Sequence, residues 1–230
     1  MHNKESKIFI VIPVFNEDKV IQEVIKDVKK SSFDNIILVD DGSTDSTYSK
    51  AESIQGTICL HHKINRGKGA ATKTGIEAAK ILRADIIVTM DGDGQHDPNN
   101  IKSLVDPIVH EDIDVVLGTR MANPKGMPIR KRIANYLGNL FTWCLYGLRV
   151  SDSQSGFRAY SKSAVNMINT KADQYEYDSE IISEINVHNL KYKEIPIKVR
   201  YTKYSINKVN KQGFVNGIKT LYKMIWNKIS

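Results

Sequence analysis

The chain has 230 residues, of which 41% are apolar and 26% charged, a composition typical of a globular protein large enough to bury a core. Its formal net charge of +7 favours anionic partners such as nucleotides, phosphates or an acidic membrane surface. The polar N-terminus lacks the pattern of a signal peptide, and no stretch reaches the roughly 20 apolar residues that cross a bilayer. Cys59 and Cys144 lie far apart in apolar surroundings, which favours free thiols in the cytoplasm over a disulfide or a metal site.

Short apolar runs alternate with helical spacings over the first half of the chain. The runs lie at residues 8–12, 36–39, 57–61, 86–88 and 114–118. They predict buried strands, the first of which is expected to end at Pro13. Strands that are apolar throughout and separated by helices predict a mostly parallel sheet with helices on both faces, which is a Rossmann-like α/β fold.

Polar motifs follow four of the predicted strands. The motifs lie at residues 15–17, 40–41, 63–69 and 91–95. Because the carboxyl ends of parallel strands lie along one edge of the sheet, the four motifs are expected to line one crevice. The third motif places backbone amides and two cations, Arg66 and Lys68, at the start of a helix, which suits a phosphate cradle. An ordinary basic loop is the alternative interpretation of that motif.

The fourth motif has the chemistry of a divalent metal site. Its sequence, DGDGQHD, spaces Asp91, Asp93 and Gln95 two residues apart, so that in an extended segment their oxygens face one point. Mg²⁺ and Mn²⁺ bind such hard oxygen ligands and keep other positions for water and substrate phosphates. Gly92 and Gly94 leave room for a large ligand beside the backbone. A solvated acidic turn is the alternative, but it explains neither the glycines nor Gln95.

Six motifs in this order resemble those of the family-2 glycosyltransferases with the GT-A fold. They are IPVFNE (12–17), VDDGSTDST (39–47), NRGKGAA (65–71), MDGDGQHDP (90–98), GTR (118–120) and QSGFRAY (154–160). The branch that they resemble most is that of the dolichyl/polyprenyl-phosphate mannosyl- or glucosyltransferases. The chain departs from the family at Phe15, where a Tyr is usual, and at Gly92, where the family motif has Ala.

The resemblance implies a nucleotide site and a metal site at this edge of the sheet. The base and ribose of a nucleotide sugar would be held by Pro13, Phe15, Glu17 and either Asp40 or Asp41. The donor diphosphate would lie near Lys68 and Asp91. Asp91, Asp93 and Gln95 would hold Mg²⁺ or Mn²⁺ on that diphosphate, and Asp93 is also a candidate catalytic residue.

Arginines in the second half of the chain are the candidate ligands of an acceptor phosphate, because guanidinium groups grip phosphate oxygens in pairs. They are Arg120, Arg130, Arg132 and Arg158, of which Arg120 and Arg158 are also candidate catalytic residues. The alternatives are a solvated basic face for residues 130–132 and a structural ion pair for Arg158.

The nature of the acceptor decides whether the enzyme needs a general base. A hydroxyl acceptor must lose a proton as it attacks, and Asp97, Asp152 and Asp178 are candidates for the base. A phosphomonoester is already ionised at neutral pH and can attack unaided.

One catalytic domain with a C-terminal helix is the predicted organisation. Residues 1–205 form the GT-A domain, with a nucleotide-sugar half at about 1–118 and an acceptor half at 119–205. Residues 206–230 form an amphipathic helix with an apolar stripe flanked by lysines. This helix is expected either to lie in a membrane interface or to pack on the core, and the stripe fits both.

The resemblance implies an inverting glycosyltransferase that moves one hexose from a GDP- or UDP-sugar to a polyprenyl phosphate, such as dolichyl or undecaprenyl phosphate. The enzyme is expected to use Mg²⁺ or Mn²⁺ and to be peripheral at the cytoplasmic face of a membrane. Two alternatives stay open: a family-2 enzyme with a glycan hydroxyl acceptor, and an inactive nucleotide-binding partner subunit. Nucleic-acid binding is not expected, because the chain has no recognised module for it.

Overall fold

The computed structural model describes residues 6–122, 127 and 129–200, with the backbone alone for residues 130 and 131. The strands are β1 (Ile8–Val14), β2 (Ile36–Asp40), β3 (Thr57–His61), β4 (Ile86–Thr89), β5 (Val115–Thr119), β6 (Arg158–Ser161) and β7 (Tyr192–Pro196). The helices are α1 (Ile21–Lys30), α2 (Thr47–Glu52), α3 (Lys68–Ile81), α4 (Ile101–His110), α5 (Ile129–Tyr146), α6 (Lys162–Met167) and α7 (Tyr177–Val187). The predicted C-terminal helix at 206–230 lies outside the described residues.

The seven strands form one sheet in the order β3-β2-β1-β4-β6-β5-β7. Strands β1 to β4 are mutually parallel, and β5 is parallel to β7. This confirms the prediction of a mostly parallel sheet. Strand β6, which the sequence does not predict, lies antiparallel between β4 and β5. None of the helices described is both long and apolar enough to cross a membrane.

Strand β1 continues through Pro13 to Val14, so the prediction that Pro13 ends it is wrong. Pro13 pairs in register with Val39 of β2. Alternate residues of a strand bond to opposite neighbours, and Val11 accepts a hydrogen bond from Met90 on the β4 side. Pro13 faces that same side two residues later, beyond the end of β4. Its missing N–H therefore costs the sheet no hydrogen bond.

Two core layers lie on the two faces of the sheet. Ile10 and Ile12 of β1 belong to one layer, whereas Phe9 and Val11 belong to the other. Helix α3 lies close to the second face because Gly75 has no side chain: a Cβ there would be 2.3 Å from Cγ1 of Val11. This close packing holds the first residue of α3 at the carboxyl edge of the sheet.

Candidate active site

The loops after β1 and β2 are joined by hydrogen bonds. Asn16 has a left-handed backbone conformation with a φ of 54°, which asparagine adopts more readily than most residues. Its amide donates to Ser43 Oγ at 2.8 Å, and the Thr44 amide donates to Asn16 Oδ1 at 2.9 Å. The Glu17 amide donates to Thr47 Oγ1 at 2.7 Å. The two loops therefore form one connected wall of the crevice.

The predicted nucleotide residues in this wall differ in their exposure. Phe15 is 40% exposed, so its ring is accessible for stacking on a base. Pro13 is buried within β1, and the Glu17 side chain is also buried.

Asp41 holds the loop that precedes α3. Its Oδ1 accepts a hydrogen bond from the Arg66 amide at 3.0 Å, and its Oδ2 accepts one from the Gly67 amide at 2.6 Å. The imidazole Nδ1 of His62 lies 2.7 Å from Asp41 Oδ1. This buried carboxylate is thus used inside the protein. Asp41 therefore shapes the loop before α3, and its contact with the nucleotide stays a prediction.

Asp40 is likewise buried and engaged. Its carboxylate accepts hydrogen bonds from the Ser43 amide at 3.2 Å and from the Ser43 hydroxyl. The Nδ1 atom of His61 lies 2.7 Å from Asp40 Oδ2. In this structure Asp40 organises the turn after β2, and its contact with the ribose or base stays a prediction.

Lys68, the first residue of α3, lies between two carboxylates. Its Nζ is 2.8 Å from Asp91 Oδ1 and 2.9 Å from Asp178 Oδ2. Burial alone would lower the pKa of Lys68, but the charges of Asp178 and Asp91 outweigh burial and raise this pKa. A Cβ on Gly156 would lie 2.6 Å from Lys68 Nζ, so the backbone of the QSGFRAY motif abuts this pair directly. The structure thus brings three of the predicted motifs together around one cation.

Asp91 stays ionised throughout the neutral pH range. Burial acts to raise its pKa, but the charge of Lys68 outweighs burial and lowers the pKa to about 2. The Asp91 amide donates to Nδ1 of His96 at 3.2 Å, and the His96 ring stacks on Phe157 with the ring centroids 4.8 Å apart. Burial lowers the pKa of His96, which favours the neutral ring that can accept this hydrogen bond.

Asp93 and Gln95 form a tight turn at Gly94, whose φ is 75°. The Gln95 amide donates to Asp93 Oδ1 at 2.9 Å, and the Gln95 side-chain nitrogen donates to Asp93 Oδ2. Asp93 is half-buried. The turn holds this carboxylate in a defined position two residues after Asp91.

The oxygen donors of Asp91, Asp93 and Gln95 fit a partial site for a divalent cation. Over residues 6–122, 127 and 129–200, no three His, Cys, Asp or Glu side chains are grouped into a complete metal site. Mg²⁺ needs only one or two carboxylates when substrate phosphates and water fill its other positions. The donor set therefore suits a metal that arrives with a diphosphate.

Arg120 forms a paired interaction with the buried side chain of Asp152. Its Nε and Nη2 atoms lie 2.7 Å and 2.8 Å from the two carboxylate oxygens, and its amide also donates to Oδ2 at 2.9 Å. Three hydrogen bonds thus fix the position of this arginine. Arg132 is exposed on α5, with its guanidinium 5.9 Å from the ring centroid of Tyr136. The side chain of Arg130 lies outside the described residues.

Arg158 is engaged inside the protein, and its role as an acceptor ligand and catalytic residue stays a prediction. Its side chain is 1% exposed, and Nη2 donates to the backbone carbonyls of Ser153 and Asp178, both at 2.7 Å. Nε and Nη1 have no hydrogen-bond partner within the described structure. Arg158 therefore links β6 to Asp178 at the start of α7, and the carboxylate of Asp178 in turn pairs with Lys68.

We expect the Arg158→Lys variant to lower the free energy of unfolding by about 1–3 kcal/mol, because an ammonium cannot reproduce the hydrogen bonds of the planar guanidinium. Urea unfolding measures this loss. Unchanged stability combined with a raised KM for the acceptor would contradict the positioning role and support the predicted contact with substrate.

The sequence does not indicate that Asp178 and Asp152 form ion pairs within the site. Each was predicted only as an alternative base, yet each pairs with a cation of the site. An acidic residue in the first turn of a helix, as Asp178 is in α7, is common because it complements the helix dipole. The pattern therefore does not predict the contact of Asp178 with Lys68, which lies 110 residues earlier in the chain.

Known proteins are similar to this chain in sequence or in fold. An uncharacterised protein of Methanocaldococcus jannaschii is 43% identical over 99% of this chain and 94% of its own length. A UDP-N-acetylglucosamine–dolichyl-phosphate N-acetylglucosaminyltransferase of Methanococcus voltae is 37% identical over 96% of both chains.

Glucosyl-3-phosphoglycerate synthase of Mycobacterium tuberculosis, crystallised with Mn²⁺, UDP and phosphoglyceric acid, has a similar fold. The TM-score is 0.68 at 20% identity, over 94% of this chain and 78% of that one. The family model for glycosyl transferase family 2 matches residues 9–168. The chain therefore belongs to glycosyl transferase family 2 and has the GT-A fold.

Proposed function

We propose that the protein transfers one hexose from a nucleotide diphosphate sugar to a polyprenyl phosphate, with inversion at the sugar. A phosphate oxygen of the acceptor attacks C1 of the sugar, the bond from C1 to the diphosphate breaks, and a nucleoside diphosphate leaves. The Methanococcus voltae relative makes UDP-N-acetylglucosamine the first donor to test, ahead of other UDP- and GDP-sugars.

The observation that carries this proposal is that all three candidate bases are paired with cations. Asp97 Oδ1 lies 2.9 Å from Arg200 Nη2, Asp152 is gripped by Arg120, and Asp178 is paired with Lys68. A proton taken up by such a carboxylate would have to displace its cation, so each is a poor general base. A phosphate acceptor avoids this problem because it arrives without the proton that a hydroxyl must lose.

Donor binding is assigned to the crevice at the carboxyl edge of β1–β4. Phe15 offers its ring to the base, and Lys68 places a cation beside the diphosphate. Asp91, Asp93 and Gln95 would hold Mg²⁺ or Mn²⁺. When bound, the metal would neutralise charge on the departing diphosphate. Buried Asp40 and Asp41 keep the two walls of this crevice in place.

Acceptor binding is assigned to the arginines that follow β5. Arg120 is held beside the site by Asp152, and Arg132 lies on the surface of α5. Arg130 remains a candidate from the sequence. A lipid acceptor of this kind implies peripheral contact with a membrane.

A comparison of two acceptors of equal chain length, a polyprenyl phosphate and the corresponding polyprenol, tests the proposal. We expect transfer to the phosphate only, with kcat/KM for the acceptor rising with pH through about 6, the second pKa of a phosphomonoester. Transfer to the polyprenol, or to a glycan hydroxyl in a parallel assay, would refute the phosphate acceptor. An unconsumed donor in every assay would indicate the inactive nucleotide-binding subunit.

A further inference from the structure

Helix α5 turns its polar side toward the protein, which is the reverse of an ordinary surface helix. Asn135 and Thr142 are buried. Asn139 Oδ1 accepts hydrogen bonds from the amide and the hydroxyl of Ser153, both at 2.9 Å, and Thr142 Oγ1 donates to Ser153 Oγ at 3.2 Å. The side-chain amide of Gln154 lies directly against the backbone of Gly138, where a Cβ would otherwise be. Polar contacts, rather than apolar packing, therefore attach this side of α5 to the domain.

The opposite side of α5 is apolar and exposed. We call it the outer face of α5, and it consists of Ile129, Ile133, Tyr136, Leu137, Leu140, Phe141 and Trp143. The exposed fraction of these side chains ranges from 41% at Phe141 to 75% at Ile129. Their spacing places them on one side of the helix. Scattered exposed apolar residues are normal on a protein, but a continuous stripe of this size marks an interaction surface.

The outer face also has the composition of a membrane interface. The guanidinium of Arg132 lies 5.9 Å from the ring centroid of Tyr136, and that of Arg149 lies 5.7 Å from the centroid of Trp143. Tyrosine and tryptophan beside arginine are typical of the level where lipid headgroups meet acyl chains. The helix sequence contains three basic residues, 130–132, and no acidic residue. Its charge therefore complements anionic lipid and opposes pairing with a second copy of itself.

The outer face adjoins the candidate acceptor site. A groove of about 590 Å³ lies between α5 and the segment after β5. Leu140 and Trp143 line it from α5, and Met121, the residue after Arg120, lines it from the other side. A surface seated on a bilayer through α5 would thus bring this groove and Arg120 close to the lipid headgroups.

We propose that the outer face of α5 is the surface by which this protein lies on an anionic lipid bilayer. The face enters the headgroup region to the depth of its apolar side chains, and the arginines stay at the level of the lipid phosphates. The proposal deepens the proposed function, because a polyprenyl phosphate resides in a bilayer. The test measures vesicle binding in the absence of donor and acceptor. Membrane contact through α5 can therefore fail while sugar transfer succeeds, and sugar transfer can fail while this contact is found.

A fluorescent probe on Cys144 measures the contact directly. Cys144 is exposed near the end of α5, whereas burial raises the pKa of Cys59 to about 11 and makes it a poor competitor for the label. In the full chain carrying Cys59→Ala, we label Cys144 with an environment-sensitive dye and add phosphatidylcholine vesicles with or without phosphatidylglycerol. We expect a blue shift with the anionic vesicles and quenching by spin-labelled lipid. Salt should weaken binding without abolishing it.

Two double variants compare the contribution of α5 to vesicle binding with that of exposed apolar residues elsewhere on the protein. Ile133→Ser/Leu137→Ser should lower vesicle partitioning by at least about tenfold, because each buried leucine or isoleucine contributes more than that factor. Ile81→Ser/Val109→Ser removes two exposed apolar side chains at the ends of α3 and α4 and should leave partitioning unchanged. If the α5 variant does not fold, the Cys144 probe on the otherwise native chain still decides.

Four results would overturn the proposal. The protein could ignore anionic vesicles, or it could bind them while the Cys144 probe stays in water, as expected if the segment at 206–230 carries the contact. A blue shift without lipid that grows with protein concentration would indicate a second copy on the outer face. A blue shift without lipid that is independent of concentration would indicate that another part of the same chain covers it.

Discussion

The Lys68→Met variant is expected to lose at least about 100-fold in turnover, the usual cost of removing one preorganised group that stabilises developing charge. The same change leaves Asp91 and Asp178 close together without their shared cation. We therefore also expect the free energy of unfolding to fall by about 1–3 kcal/mol, because buried Asp178 loses its partner while half-buried Asp91 stays in contact with water. Turnover at saturating donor and urea unfolding measure the two effects separately.

A second variant distinguishes the chemical role of Lys68 from its structural role. Lys68→Met/Asp178→Asn removes one of the two stranded charges, so it should regain part of the lost stability. Turnover should not return, because the cation beside the diphosphate is still absent. Recovery of turnover together with stability would show that Lys68 acts only by holding the site together.

The Asp93→Ala variant is expected to lose at least about 100-fold in turnover while the fold stays intact. The loss would follow from removing a proposed ligand of a metal that would stabilise the departing diphosphate, an effect of several kcal/mol. Because Asp93 is half-buried and bonded mainly to Gln95 in its own turn, stability should change by less than about 1 kcal/mol. Initial rates and thermal unfolding measure the two quantities.

Asp106→Ala on α4 is the matched control, since it removes a carboxylate of similar exposure away from the site. It should leave both turnover and stability close to those of the native protein. Excess chelator on the native protein should reproduce the loss seen with Asp93→Ala, and added Mn²⁺ should reverse it. Full turnover in the presence of chelator would contradict a metal at Asp91, Asp93 and Gln95.

The sequence predicts the first five strands well because each is a largely apolar run. Strands β1, β2, β4 and β5 are buried on both faces of the sheet, whereas the edge strand β3 is partly exposed. The sequence does not predict β6, which has only four residues and contains Arg158, a residue expected at the surface. Strand β7 is not predicted for a similar reason, since Lys193 and Glu194 interrupt its apolar pattern. Short strands that contain charged residues depend on tertiary contacts, which a local sequence pattern cannot show.

The sequence predicts where the candidate site lies, but it does not predict which groups each carboxylate in the site contacts. The convergence of motifs at the strand ends follows from the parallel order of the sheet. Whether Asp41 faces a ligand or the protein depends on the amides of Arg66 and Gly67, about 25 residues further along the chain. In the same way, the sequence of α5 does not show which of its sides faces the core. The polar contacts of Asn139 and Thr142 with Ser153 decide that question.

The most direct test of the account is to identify the product that the full chain makes from nucleotide sugars and a polyprenyl phosphate. The assay combines UDP-N-acetylglucosamine, or another UDP- or GDP-hexose, with Mg²⁺ or Mn²⁺ and a vesicle-borne polyprenyl phosphate. Mass spectrometry and NMR of the extracted lipid then establish the new bond. We predict a sugar joined through C1 to the lipid phosphate, with the anomeric configuration inverted relative to the donor. A sugar joined to a hydroxyl, or no lipid-linked sugar from any donor while the protein still binds nucleotide, would contradict the account.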